Sequence, residues 1–195
     1  MKRSKKHLVT STLVLIVGAI IALAINGCNK PNVASPILPG NEFLTTTLLI
    51  VTDPNNPTFH DTAIWSKNPP TGLQAPDTAK AFLNLQANHT YNLHIGILDS
   101  TQTPPFNVGQ EIDSLRANYH LFCFTPSSGL NLTVTPTDHD GNNPPLPVGF
   151  YDSFVTGAAS IGTLEVVLHH QPNVKDGQCA PGSIDLDVTY RINIQ

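Results

Sequence analysis

The chain has 195 residues, with ten Lys and Arg against fourteen Asp and Glu and a net charge of −4. That length suits one domain of ordinary size with a real hydrophobic core, and the acidic balance argues against nucleic acid, whose phosphates call for Lys and Arg. Seventeen prolines and thirteen glycines imply many turns, and neither an internal repeat nor a coiled-coil heptad is present.

The chain opens MKRSKKHLVTSTLVLIVGAIIALAINGCNK. A basic head is followed by an uncharged, mostly apolar run from Leu8 to Ile25 and then by small residues, the layout of a secretory signal peptide. An uncleaved transmembrane helix is the alternative, since about 20 apolar residues span a bilayer. Ile25-Asn26-Gly27-Cys28 resembles the bacterial lipobox. That resemblance implies cleavage of residues 1–27 and lipidation of Cys28. Stable anchoring takes at least two acyl chains, which a triacylated Cys28 exceeds. Asn rather than Asp at position 29 points to the outer membrane. Periplasmic and surface faces both stay open. Loss of the leader removes four of the ten basic residues, so the mature chain carries 6 − 14 = −8 charges. Residues 28–41 hold three prolines and no periodicity, so they read as a tether between lipid and domain.

From residue 42 onward the dominant pattern has period two, the mark of half-buried strands. Strands are expected at 43–52, 59–65, 81–85 and 91–97. Val108, Ile112, Leu115 and Tyr119 recur at three to four residues instead, and Glu111 and Asp113 lie early in the segment. Carboxylates there suit the positive end of a helix, so one short helix is expected at 109–118. Further strands follow at 120–124, 130–134, 162–170 and 184–194. In the last, Ile184, Leu186, Val188, Tyr190, Ile192 and Ile194 form one face and Asp185, Asp187, Thr189, Arg191 and Asn193 the other. About eight strands separated by Pro, Gly and Asn turns predict an all-β, Ig-like antiparallel β-sandwich over residues 42–195.

The stretch LHHQPNVKDGQC (168–179) gathers His169, His170, Asp176 and Cys179. Neighbours in a strand point to opposite sides, so His169 and His170 do not chelate one ion within a strand. Pro172 ends the strand, and Lys175-Asp176-Gly177 reads as a turn. The functional alternative is a metal site built from His120, His139 and His170 with Asp138 or Asp140, since imidazole is a common ligand for transition metals. DHDGNNPP (138–145) distantly resembles a calcium loop, but its glycine comes too early and no glutamate follows. Cys123 and Cys179 remain once Cys28 is lipidated, and export favours a bridge between them. Cys123 as a small core residue is the other reading. Neither a nucleophile elbow nor a phosphate-binding loop is present, so no enzymatic activity and no cofactor are expected.

YHLFCFTPSSGLNLTVTPTDHDGNNPPLPVGF, TGAASIGTLEVVLHHQPNVKDG and IDLDVTYRINI together resemble a group of small Bacteroidetes lipoproteins, often encoded beside TonB-dependent outer-membrane receptors. The likeness covers about 119–195 well. It covers 42–118 loosely, through NEFLTTTLLIVT, TYNLHIGILDST and TPPFNVGQEI. His120, His170, Pro172, Asp176 and Gly177 match the group's pattern. Cys123 stands where an aromatic is usual and His169 where a lysine is common. Some members carry a type 1 periplasmic binding fold label, but that fold needs two doubly wound lobes and helical crossovers between parallel strands, and this chain offers one short helix. The resemblance implies a lipid-anchored, non-enzymatic outer-membrane accessory of a TonB-dependent receptor. It brings no catalytic residues. Metal capture through His120, His139 and His170, and an envelope adhesion or structural role, are the competing expectations.

Overall fold

The computed structural model describes residues 43–67 and 75–195. The expected signal peptide (1–27), Cys28 and the tether (28–41) lie outside the described residues. Among the described residues, ten strands form two sheets packed face to face. They are β1 (Thr46–Asp53), β2 (Asn56–Ser66), β3 (Phe82–Leu85), β4 (Thr90–Asp99), β5 (Phe106–Asn107), β6 (His120–Pro126), β7 (Leu132–Pro136), β8 (Tyr151–Thr156), β9 (Ser160–His170) and β10 (Ser183–Ile194). The first sheet runs β2-β1-β4-β8-β7, with β5 also paired to β4. The second runs β3-β10-β9-β6. The fold is thus an all-β sandwich.

Alternation explains the packing. Leu49 and Val51 of β1 and Tyr91, Leu93, Ile95 and Ile97 of β4 point inward from one sheet. Leu164, Val166 and Leu168 of β9 and Val188, Tyr190, Ile192 and Ile194 of β10 meet them from the other. Each fully buried side chain of this size contributes about 1.5–3 kcal/mol. The Tyr190 hydroxyl crosses the interface and donates to the Thr47 carbonyl at 3.0 Å. Burial pushes that phenol above its ordinary value. A buried hydroxyl needs such a partner.

Three expectations are corrected in detail, and one strand had none. One strand pair, β3 with β10, is parallel: the chain passes from β2 in one sheet to the edge of the other, where Ile64 N–H donates to Lys80 O and Arg191 N–H to Ala81 O. Ile184 does not join the core face and is 58% exposed, because the β10–β9 register shifts between Ile184 and Leu186. A bulge adds one residue and reverses the alternation on its far side. Residues 151–156 form a strand that had no sequence expectation. Finally, the helix expected at 109–118 is present, but it is one α turn, α1 (Val108–Glu111), followed by a π turn (Ile112–Arg116) and a 3-10 turn (Ala117–Tyr119). Asn107 caps α1 by accepting from Gln110 N–H at 3.0 Å. Val108 and Ile112 are buried as expected, but Leu115 is 70% exposed and Arg116 is buried in its stead. The wider π turn carries the fourth residue after Ile112 inward and swings the third one out.

Candidate functional site

One end of the sandwich collects both stretches singled out in the sequence. β9 ends at His170, and the next residue, Gln171, is fully buried. Its backbone N–H donates to Tyr119 O at 2.6 Å. Its side-chain amide donates to Gln178 O at 2.8 Å and Pro181 O at 2.9 Å, which holds the 171–182 loop in a closed curve. The loop lies against the outer face of the second sheet, where Leu121, Cys123 and Val167 form a small apolar cluster of their own. A disulfide joins Cys123 to Cys179, with the Cα atoms 6.0 Å apart. The stretch 168–179 is therefore a strand end and a pinned loop.

The 138–147 loop is organised by its carboxylates. Asp138 accepts from the backbone N–H groups of Gly149 at 2.7 Å, Phe150 at 2.9 Å and Tyr151 at 3.3 Å. Asp140 accepts from the N–H groups of Asn142 at 3.0 Å and Leu146 at 2.9 Å. Its other oxygen faces the Lys175 ammonium at 2.7 Å. Burial works to raise the Asp140 carboxyl, and Lys175 with the two N–H donors overcomes it, so Asp140 lies below the usual carboxylate range. Burial holds Lys175 below its ordinary value. The same ammonium donates to Ala117 O at 2.9 Å. One buried cation thereby ties together the 3-10 turn, the 138–147 loop and the 171–182 loop.

The strand register sets His120 opposite His170, and their rings stack with centroids 4.9 Å apart. His120 Nδ1 lies 3.0 Å from Arg116 O. Its Nε2 lies 3.3 Å from Asp185, the residue that the β10 bulge sets out of register. Burial lowers His170 below its ordinary value. Asp185 opposes that shift, and His120 and Arg116 reinforce it. Arg116 in turn pairs with Glu111. Of the five residues considered for a metal, the structure brings His120 and His170 together. His139 bridges to Pro147 and is exposed, while Asp138 and Asp140 are occupied by the donors already named. Among the described residues no group of three or more potential ligands converges.

Between these pinned loops lies a cleft of about 510 Å³, within the range of roughly 300–1,000 Å³ typical of small-molecule sites. Asn118, Asn142, Asn143 and Asn173 line it with Tyr119 and Asp176. Asn118 Oδ1 accepts from Gly141 N–H at 2.8 Å, and Asn142 donates to Asp140 at 2.8 Å. The side chains of Asn143 and Asn173 and the Tyr119 hydroxyl have no hydrogen-bond partner among the described residues. Amides offer donors and acceptors without charge, so the cleft presents a two-way hydrogen-bonding surface beside one aromatic ring, with Lys175 and the Asp176 carboxylate also in its lining. Sequence reasoning missed these asparagines because Asn in a Pro-rich stretch reads as turn chemistry.

A second cleft, of about 360 Å³, lies between α1, the π turn and the outer face of the first sheet, lined by His94, Gln110, Asp113 and Tyr151 among others. None of these four was singled out in the sequence as a site residue.

The chain matches no protein-family model, no curated protein and no solved structure.

Proposed function

We propose that this chain is an exported, lipid-anchored binding module that works without catalysis at the outer membrane, as an accessory of a TonB-dependent receptor. It takes a hydroxyl-rich ligand in the amide-lined cleft. The observation that carries this reading is the cleft itself: unpartnered amide and phenol groups on loops held in place by a buried ion pair and a disulfide. Preorganised walls lower the ordering cost of binding. The leader pattern and Cys28 support export and anchoring. The disulfide fits an oxidising compartment. Chemistry on a substrate would call for an activated nucleophile or an acid–base pair facing a cleft, and the amide cleft offers hydrogen bonding instead.

The test is a tag at Gln195, crosslinking of intact cells and identification of what co-purifies from the outer membrane. A TonB-dependent receptor recovered in near-equal amount supports the accessory role. Absence of any stoichiometric partner sets that role aside and favours a stand-alone adhesion or structural module. Radiolabelled palmitate on the wild type and none on Cys28→Ala checks the anchor separately.

A further inference from the structure

The second cleft carries a different chemistry. The register of β4 with β8 sets His94 opposite Tyr151, and their rings stack in near-parallel planes 12° apart with centroids at 4.6 Å. Tyr151 remains 46% exposed. The π turn places Asp113 on the opposite wall, and Gly96 and Gly109 line the space between. No Lys or Arg lines the cleft, and Asp113 is its one acidic residue.

Asp113 differs from its neighbours. Asp99 receives Thr101 and Gln102, Asp138 receives three backbone N–H groups, and Asp140 receives Lys175. Asp113 is half-buried and has no hydrogen bond or ion pair among the described residues. Burial, together with the charge of Asp138, raises its carboxyl above the ordinary value. Burial holds His94 below its own ordinary value, against the charges of Asp113 and Asp138, and His94 in turn works to lower Asp113. A carboxylate with no hydrogen-bond partner beside an exposed aromatic ring is the pairing that receives an organic cation: the carboxylate takes charge-assisted hydrogen bonds, and the ring attracts the positive charge electrostatically. The chain's acidic balance, fourteen Asp and Glu against ten Lys and Arg, draws such ligands in.

We infer that the cleft between the Tyr151–His94 stack and Asp113 is a binding site for an alkylguanidinium or alkylammonium group. This cleft is separate from the amide-lined one, and neither reading depends on the other.

The test is calorimetric titration of the purified full-length protein in detergent with n-butylguanidinium, with n-butylurea as the uncharged isostere. Saturable binding of the guanidinium and none of the urea is expected. Asp113→Asn and Tyr151→Leu should each weaken it about tenfold. The ligand should raise the melting temperature of the wild type and leave that of D113N unmoved. Asp113 has no hydrogen bond to lose among the described residues, so D113N is expected to fold as the wild type does, and its melting curve without ligand checks that. A short peptide with a single arginine separates the two sources of the cation. Affinity more than about tenfold above that of n-butylguanidinium assigns the cleft to a basic side chain of a protein partner, and equal affinity assigns it to a free small cation. Equal binding of the urea and the guanidinium, unchanged affinity in D113N, or no saturable binding overturns the inference.

Discussion

The Lys175 ammonium lies 2.7 Å from an Asp140 carboxylate oxygen, with 2% and 0% of the two side chains exposed. Two loops that are distant in sequence share this contact, and the amide cleft lies between them. Removing one partner of a buried pair strands the other charge, at a cost of about 3–5 kcal/mol. Lys175→Ala is therefore expected to lower stability to urea by that amount. The paired change Lys175→Met with Asp140→Leu should recover only part of the loss: it strands no charge, but it leaves the Asn142 and Leu146 N–H groups and the Ala117 carbonyl without these partners. If K175A unfolds at the wild-type urea midpoint, the pair does not hold the loops.

Asp152 is 2% exposed, and neither carboxylate oxygen has a partner among the described residues. Burial and the nearby Asp138 charge push its carboxyl from 3.8 up to about 8. The folded-state value is raised, so the folded chain binds the extra proton. The stability tied to that proton is fully present below 3.8 and is lost as pH rises toward 8. Asp152→Asn mimics the protonated acid at every pH. The difference between D152N and the wild type should grow across this window by up to about 1.4 kcal/mol per pH unit. Urea melts of both proteins from pH 4 to 9 check this, and stability curves that run parallel would refute it.

Asp152 also explains a strand that the sequence hid. In β8 the inward positions are Asp152, Phe154 and Thr156, while Tyr151 and Val155 face outward and are exposed. Polar groups inside and apolar groups outside invert the alternation on which strand reading rests. From Leu186 to Ile194, by contrast, β10 alternates without fault, and that strand was legible. Where the bulge intervenes, at Ile184, the reading failed. The site was half legible. Asp138, Asp140 and His170 were each singled out, but as ligands for an ion. Their actual partners are backbone N–H groups, Lys175 and His120. No local pattern links Lys175 to Asp140 across 35 positions. Asp113 and Tyr151 were invisible as a pair because only the β4–β8 register and the π turn bring them to one cleft.

Two glycines with nearly the same backbone separate conformational strain from collision. Gly129 has φ +89° and open space where a Cβ would sit. Gly182 has φ +91°, and its Cβ would collide with the carbonyl of His170. Gly129→Ala should cost about 1 kcal/mol, from the left-handed conformation alone. Gly182→Ala should cost at least about 2 kcal/mol more, since backbone must move at the end of β9. It should also disturb the His170 ring signals in NMR spectra, which Gly129→Ala leaves in place. Equal costs for the two variants would mean that the end of β9 yields easily.

The disulfide fixes the far end of the same loop. Cys123 and Cys179 are 56 positions apart, and closing a loop of that length in the unfolded chain is worth about 4 kcal/mol on the chain-entropy account. Cys123→Ser with Cys179→Ser should therefore lower stability by about 2–4 kcal/mol. The loss should exceed that for Lys175→Met with Asp140→Leu, because the bridge constrains the unfolded chain while the ion pair acts in the folded one. Reduced wild type should match the double serine variant in denaturant melts. It should also lose affinity for any ligand of the amide cleft, whose Asn173 wall belongs to the tethered loop. The cation cleft lies on the other sheet, so binding of n-butylguanidinium should survive reduction under conditions where the chain stays folded. Loss of both binding activities together, below the unfolding midpoint, would show that the two clefts are coupled through the sandwich.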